Sequence, residues 1–407
     1  MPDETHDELH LRAGELQQAR RYAEAAEIYL GLASRALTLR LALNLGLCLS
    51  ELGERRRAIS YLEQAARHSP GQQVVRRVLA VAYAEAGALG PAEREFRAAL
   101  AIDPLDKTTQ LAFAGFCLSL GRYAEAWPLF DARVELNPGL IPPVAVSYPE
   151  WLGEPVEGRS VLVWVEQGFG DKIQMARFVN SLKALGAARV TLACNPPLAH
   201  LFTTLAGADK LITVATGQSV EVQNHDCWTR YFSLPARLGV TLETLPTAPY
   251  LSAPPDRLAR WQGFGGGARV GLAWKASPTG FNGANKGLPD AVAQRLLDAG
   301  AVSLQPEDTG AADFADTAAI IAGLDLVISI DTSVAHLAGA MGKPCWTLLP
   351  QIHCDWRWLL GRSDSPWYPT MRLYRQTSPR DWTATVDEVL GDLAVAGLGR
   401  GPKLGAA

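Results

Sequence analysis

The chain has no apolar run long enough to cross a bilayer, so insertion into a membrane as a helix is not expected. It has little charge excess of either sign. A net charge of −4 over 407 residues gives no pull toward nucleic acid or an acidic membrane surface. It is poor in cysteine, with six in all. Cys194, Cys227, Cys345 and Cys354 share no metal-ligand or redox spacing, and Cys48 and Cys117 fall at helix-packing positions. Reduced, buried thiols are expected. The opening residues, Met1-Pro2-Asp3-Glu4, are acidic and lack an apolar core, so no signal peptide is visible and a cytoplasmic location is expected. An apolar fraction of 48% is enough for large cores, and the length suits two or three domains.

What the chain does have is a repeat. Leu39–Gln72, Gln73–Asp106 and Lys107–Leu140 superimpose without a gap at a period of 34 residues. Leu45-Gly46, Leu79-Ala80 and Phe113-Ala114 fall at one position, and Leu49, Tyr83 and Cys117 one turn later. The turn glycine is Gly53, Gly87 or Gly121, and the second helix carries Ala58, Ala92, Ala126 and then Leu62, Phe96, Phe130. Small residues let helices approach and large ones fill the gaps between hairpins. Pro70, Pro104 and Pro138 end each repeat. This is the pattern of tetratricopeptide (TPR) hairpins. Arg21–Ala26 echoes Arg122–Ala126 and reads as a degenerate first repeat, one residue out of step. Such an array binds peptides on its surface and carries no chemistry of its own.

Beyond the proline-rich stretch Ile141–Pro155, strands and helices alternate. Ser160–Glu166 is almost wholly apolar, as a buried parallel strand should be. A second alternation starts near Ala268. The expected fold class is an α-solenoid followed by two Rossmann-like α/β domains, the paired architecture called GT-B. Periodicity alone does not separate it from other paired Rossmann proteins. The expected limits are 1–140 for the array, 141–158 for a linker, 159–255 for the first α/β domain (acceptor side), 256–390 for the second (nucleotide-sugar side) and 391–407 for a flexible tail.

Three motifs could carry chemistry. In Ile328–His336 an apolar strand ends at Asp331 and a helix begins at once. Free amides of Thr332, Ser333 and Val334, with the helix dipole behind them, suit a phosphate, and His336 follows one turn later. The same residues also suit an ordinary helix cap with His336 packed in a core. In Glu166–Asp171 the glycines Gly168 and Gly170 would let backbone approach a ligand, and Asp171 either caps the helix or serves as a general base, with Glu166 as its neighbouring carboxylate. The spacing falls short of a dinucleotide fingerprint. Trp274-Lys275 ends the first strand of the second half, Gln305 ends the next, and Lys286 lies in the loop Gly280–Gly287. Either lysine could neutralise a leaving phosphate; solvation is the plain alternative. Asp355–Leu360 and Ser365–Pro369 could stack on a ligand or pin a C-terminal segment across two domains.

From Trp151 to Trp382 the chain resembles bacterial TPR proteins carrying a glycosyltransferase domain similar to the ADP-heptose:lipopolysaccharide heptosyltransferases. Glu-Gln-Gly-Phe-Gly-Asp (166–171), Asp-Phe-Ala-Asp-Thr-Ala-Ala (313–319), Asp-Thr-Ser-Val-Ala-His (331–336) and Asp-Trp-Arg-Trp-Leu-Leu (355–360) carry the likeness. The resemblance implies donor-phosphate roles for Asp331, Thr332, Ser333 and His336, and an acceptor-side role for Asp171. The loop Ser277–Lys286 departs from the family pattern. A TPR array joined to this catalytic type also resembles the O-GlcNAc transferases and, more nearly, the flagellin glycosyltransferases known as FlmG. That likeness implies a protein acceptor, flagellin first, and a CMP-activated nonulosonic acid donor as co-substrate with no cofactor. No Asp-x-Asp occurs, so a metal-independent reaction is expected. The rivals are a lipopolysaccharide or small-molecule glycosyltransferase, and a non-catalytic adaptor with a degenerate GT-B half. The transferase expectation fails if the tip of the helix at Thr332 is plugged by protein or turned away from the gap between the two halves.

Overall fold

The computed structural model describes residues 5–398 except 140, 142, 167, 216–219, 268, 278, 279 and 281. The acidic N-terminus and the tail from 399 onward lie outside the described residues.

Helices come first, in hairpins: α1 (His6–Gln18) and α2 (Tyr22–Ala33), α3 (Leu39–Glu51) and α4 (Arg55–His68), α5 (Gln73–Glu85) and α6 (Leu89–Ile102), α7 (Lys107–Ser119) and α8 (Tyr123–Phe130), then α9 (Ala132–Leu136). Thr5, Thr38 and Asp106 cap α1, α3 and α7 by accepting a hydrogen bond from a first-turn amide. The hairpin turns repeat in detail. Gly53, Gly87 and Gly121 sit at φ 79°, 75° and 75°, where a side chain is strained. The first hairpin makes the same turn with Arg20 at φ 58°, 33 positions before Gly53, which is the one-residue offset expected from the sequence. Its strain, on the order of 1 kcal/mol, marks the degenerate repeat. Close packing follows the small positions: a methyl on Gly46 would stand 2.9 Å from Leu62.

The α/β part holds two wholly parallel sheets. The first contains β1 (Ser160–Trp164), β2 (Arg189–Cys194), β3 (Lys210–Thr213) and β4 (Cys227–Arg230) in the order β3-β2-β1-β4. Between β1 and β2 run α10 (Phe169–Met175) and α11 (Arg177–Ala184), and between β2 and β3 runs α12 (Pro196–Phe202). After β4 come α13 (Leu234–Arg237) and α14 (Pro255–Arg260). The second sheet begins with β5 (Val270–Ala273), followed by α15 (Gly283–Lys286) and α16 (Asp290–Asp298). Then come β6 (Val302–Ser303), α17 (Pro306–Thr309), α18 (Phe314–Ala322), β7 (Leu326–Ile330), α19 (Ser333–Ala340), β8 (Cys345–Leu349), β9 (Met371–Arg375) and α20 (Thr383–Val395). Its order is β6-β5-β7-β8-β9. Valine, leucine and isoleucine fill β1 and β7 because helices cover both faces of a parallel sheet. Helical repeats followed by two parallel α/β halves is the fold class expected.

Three boundaries differ from expectation. Cys227–Arg230, expected to be irregular, pairs with β1 over Val161–Trp164. β9 closes the second sheet, and α20 runs into the stretch assigned to the tail. The third difference concerns the units. Residues up to Leu120 with Pro128–Leu136 form one compact unit; Gly121–Trp127 with the chain from Asn137 onward form the other, which holds both sheets. Among the described residues no helix is long and apolar enough to cross a membrane.

Candidate functional site

Ligands of open parallel sheets bind beyond the carboxyl ends of strands, where the strand order reverses. In the second sheet that point lies between β5 and β7. Asp331 directly follows β7, and Lys286 ends α15 in the connection after β5. Lys286 Nζ stands 2.8 Å from Asp331 Oδ2 across the reversal point, both side chains largely buried. Oδ2 accepts no directed hydrogen bond, so the contact is ionic rather than angular. Asn282, at φ 55°, anchors this loop by donating to the carbonyls of Ile352 (2.7 Å) and His353 (3.0 Å), and Asn285 donates to Asn282. The loop is therefore tied down on its Lys286 side.

Helix α19 starts without a side-chain cap: Thr332 Oγ1 meets Ser329 Oγ at 3.3 Å instead. Thr332, Ser333 and Val334 stay half-buried. The tip faces the first half of the same unit and is met there by Gly170. A methyl on Gly170 would stand 2.8 Å from His336 Cδ2 and 3.3 Å from Ser333 Cα. The tip is thus turned toward the gap and touched on one side by protein.

His336 occupies the packed position. It is buried, stacks on Trp358 (5.3 Å, 20°) and shares a hydrogen bond with Tyr368 Oη through Nδ1 at 3.0 Å. Burial, aided by Arg357, pushes its pKa down to about 3, so the ring is neutral near pH 7.

Across the gap, β1 delivers Glu166 and the glycine turn. Asp171 Oδ2 accepts from the Gly168 amide at 2.8 Å, and Oδ1 is paired with Arg357. Its neighbour in contact is a cation, whereas a carboxylate, Glu166, was expected. Glu166 is buried and accepts from the Phe232 amide. The other candidates are engaged with residues of their own half. Lys275 is half-exposed and paired with Glu307 at 2.7 Å. Trp274 is core, donating to Asp290 at 3.2 Å. Gln305, with its oxygen turned toward them, receives the amides of Trp274 (2.9 Å) and Lys275 (3.2 Å).

Two residues escaped the sequence reading. Lys172 is 3% exposed and donates to the Gly168 carbonyl at 3.2 Å; burial pushes its pKa down to about 8. Arg357 reaches from the turn Trp356–Trp358 into the first half. No local pattern announces Lys172. The Trp-Arg-Trp run was a signal for Arg357, which a reading confined to its aromatics passed over.

Residues 49–107 match the tetratricopeptide repeat family. The chain is similar to the protein FlbA of Caulobacter vibrioides, 26% identical over 441 aligned positions that cover 95% of this chain and 72% of that protein. Among solved structures it resembles a glycosyl transferase family 9 protein from Veillonella parvula: 12% identity, TM-score 0.41, covering 55% of this chain and 88% of that one. It also resembles MamA (AMB-1), at 25% identity and TM-score 0.27, covering 33% of this chain and 73% of that one.

Proposed function

We propose that the protein is a metal-independent glycosyltransferase that moves a sugar from a nucleotide-activated donor to a protein acceptor held by the repeats. One observation carries the reading. The carboxyl ends of the two sheets bring an uncapped helix tip with Lys286 and Asp331 against a turn bearing Asp171. The donor's phosphate group would lie on the amides of Thr332–Val334, with Lys286 turning from Asp331 to the charge that develops as the sugar–phosphate bond breaks. The acceptor hydroxyl oxygen attacks the anomeric carbon, and its proton passes to Asp171. His336 serves by holding α19 in place. The likeness of a TPR array joined to this catalytic type points to flagellin as acceptor and to a CMP-linked nonulosonic acid as donor, with action in the cytoplasm.

A thermal-shift screen against CMP-, UDP-, GDP- and ADP-linked ligands tests this. A ligand at 100 times its Kd adds about 2.7 kcal/mol to the native state. A rise with one nucleotide class and not the others supports the reading. No rise with any would favour the second reading, a non-catalytic scaffold, for which the packing of Gly170 against α19 speaks.

A further inference from the structure

We propose that Arg357 is a positioning residue that fixes the carboxylate of Asp171 from the opposite half of its unit; this rests on the reading of Asp171 as acceptor-side base. Its guanidinium is committed on every side. One terminal nitrogen binds Asp171 Oδ1, Nε donates to Gln174 Oε1, and the other terminal nitrogen donates to Asp355 Oδ2 at 2.6 Å. Phe232 and Trp356 face it at 5.2 Å and 4.8 Å. The Arg357 amide donates to Asp355 Oδ1 at 3.0 Å, which fixes the turn that carries the side chain. Burial opposes the charge, and Asp355, Asp171 and Asp331 more than offset it, so the group stays cationic.

Asp171 differs in one respect: its side chain keeps 23% exposure. One oxygen is held by the guanidinium and the other by the Gly168 amide. Each oxygen has room for about two hydrogen bonds, so each keeps one open direction while the carboxylate plane is fixed. A planar fork fixes a carboxylate in a way that a lysine point charge does not. The other groups around Asp171 have other engagements. Lys172 holds the Gly168 carbonyl, Glu166 the Phe232 amide, Lys286 is paired with Asp331, Asp355 with Arg357, and His336 is neutral. The consequence is that the base is set only when the C-terminal turn is docked on α10.

The test uses the full chain with Arg357→Lys, Arg357→Gln and Asp355→Asn, the last keeping the guanidinium but loosening it should the others fail to fold. Carboxyl labelling with a carbodiimide and glycine ethyl ester, mapped by peptide, needs no donor. Labelling of Asp171 should rise at least about fivefold in Arg357→Gln, the factor that about 1 kcal/mol of lost pairing gives, with the exposed Asp290 and Asp387 unchanged. With a donor from the nucleotide screen, kcat should fall about tenfold in Arg357→Gln, because the carboxylate is then no longer held in one plane against the acceptor. Arg357→Lys should fall between, and the donor KM should stay within about threefold, since only the carboxylate is disturbed. Unchanged labelling, or an unchanged kcat, overturns the positioning role and leaves the transferase reading standing. Changed labelling with no donor turned over by the wild type overturns both.

Discussion

Gly170 stands against His336 with no room for a side chain between them. A methyl at position 170 would come within 2.8 Å of the imidazole Cδ2 and 3.3 Å of the Ser333 backbone. The ring has no slack, being stacked on Trp358 and bonded to Tyr368. Gly170→Ala should therefore cost about 1–3 kcal/mol by overpacking. Urea titration should show a lower midpoint at an unchanged slope. An unchanged midpoint would mean that α10 and α19 separate freely.

His336 should also make the fold acid-sensitive. Its pKa is about 3 in the native protein against an ordinary value of 6.5. Between those values the unfolded chain binds a proton that the native state refuses. Stability is then full above 6.5 and falls as pH drops toward 3, by up to about 1.4 kcal/mol per unit. His336→Phe should flatten that part of the pH profile relative to wild type in paired denaturation series. Parallel profiles would show the ring to be reachable by water.

The repeat was readable from sequence because its packing is local: each small and large residue recurs where the neighbouring hairpin needs it. β1 and β7 were readable because a strand covered on both faces is apolar throughout. β4 was not, since Cys-Trp-Thr-Arg gains its strand character only from lying beside β1. Nor was β9, where Met371, Leu373 and Tyr374 are buried but Arg372 looks outward, as one-sided pairing at the end of a sheet allows. Of the site, the strand-end motifs were legible as backbone patterns. The partners of Asp171 and Asp331 were not, because they come from 186 positions away in one case and from another strand's loop in the other.

The Lys286–Asp331 pair should be costly to break from one side only. Asp331 keeps 5% side-chain exposure, so Lys286→Met would leave its carboxylate buried beside an apolar chain. The expected loss is about 3–5 kcal/mol. Adding Asp331→Leu should recover part of it, with a coupling of about 0.5–3 kcal/mol in a double-mutant cycle by chemical denaturation. Additive losses would show that the two groups do not share their charge. In the nucleotide screen both single variants should lose the ligand-induced shift.

The membership of Gly121–Trp127 in the second unit has its own consequence. Trp127 is 3% exposed, donates from Nε1 to the Val240 carbonyl at 2.9 Å, and meets Trp356 edge-on at 6.0 Å. Tyr123 accepts a 2.7 Å bond from Trp367 Nε1. By its place in the 34-residue repeat Trp127 belongs to the array, and by its packing to the α/β unit. Trp127→Ala should thus remove about 3–5 kcal/mol from the α/β unit. Leu62→Ala, which empties the position packed on Gly46, should act on the repeats at about 2–5 kcal/mol. Differential scanning calorimetry of the full chain should show the two substitutions lowering different transitions. Were Trp127→Ala to lower the same transition as Leu62→Ala and spare the other, the residues would belong with the repeats after all, and the α/β unit would begin at Asn137.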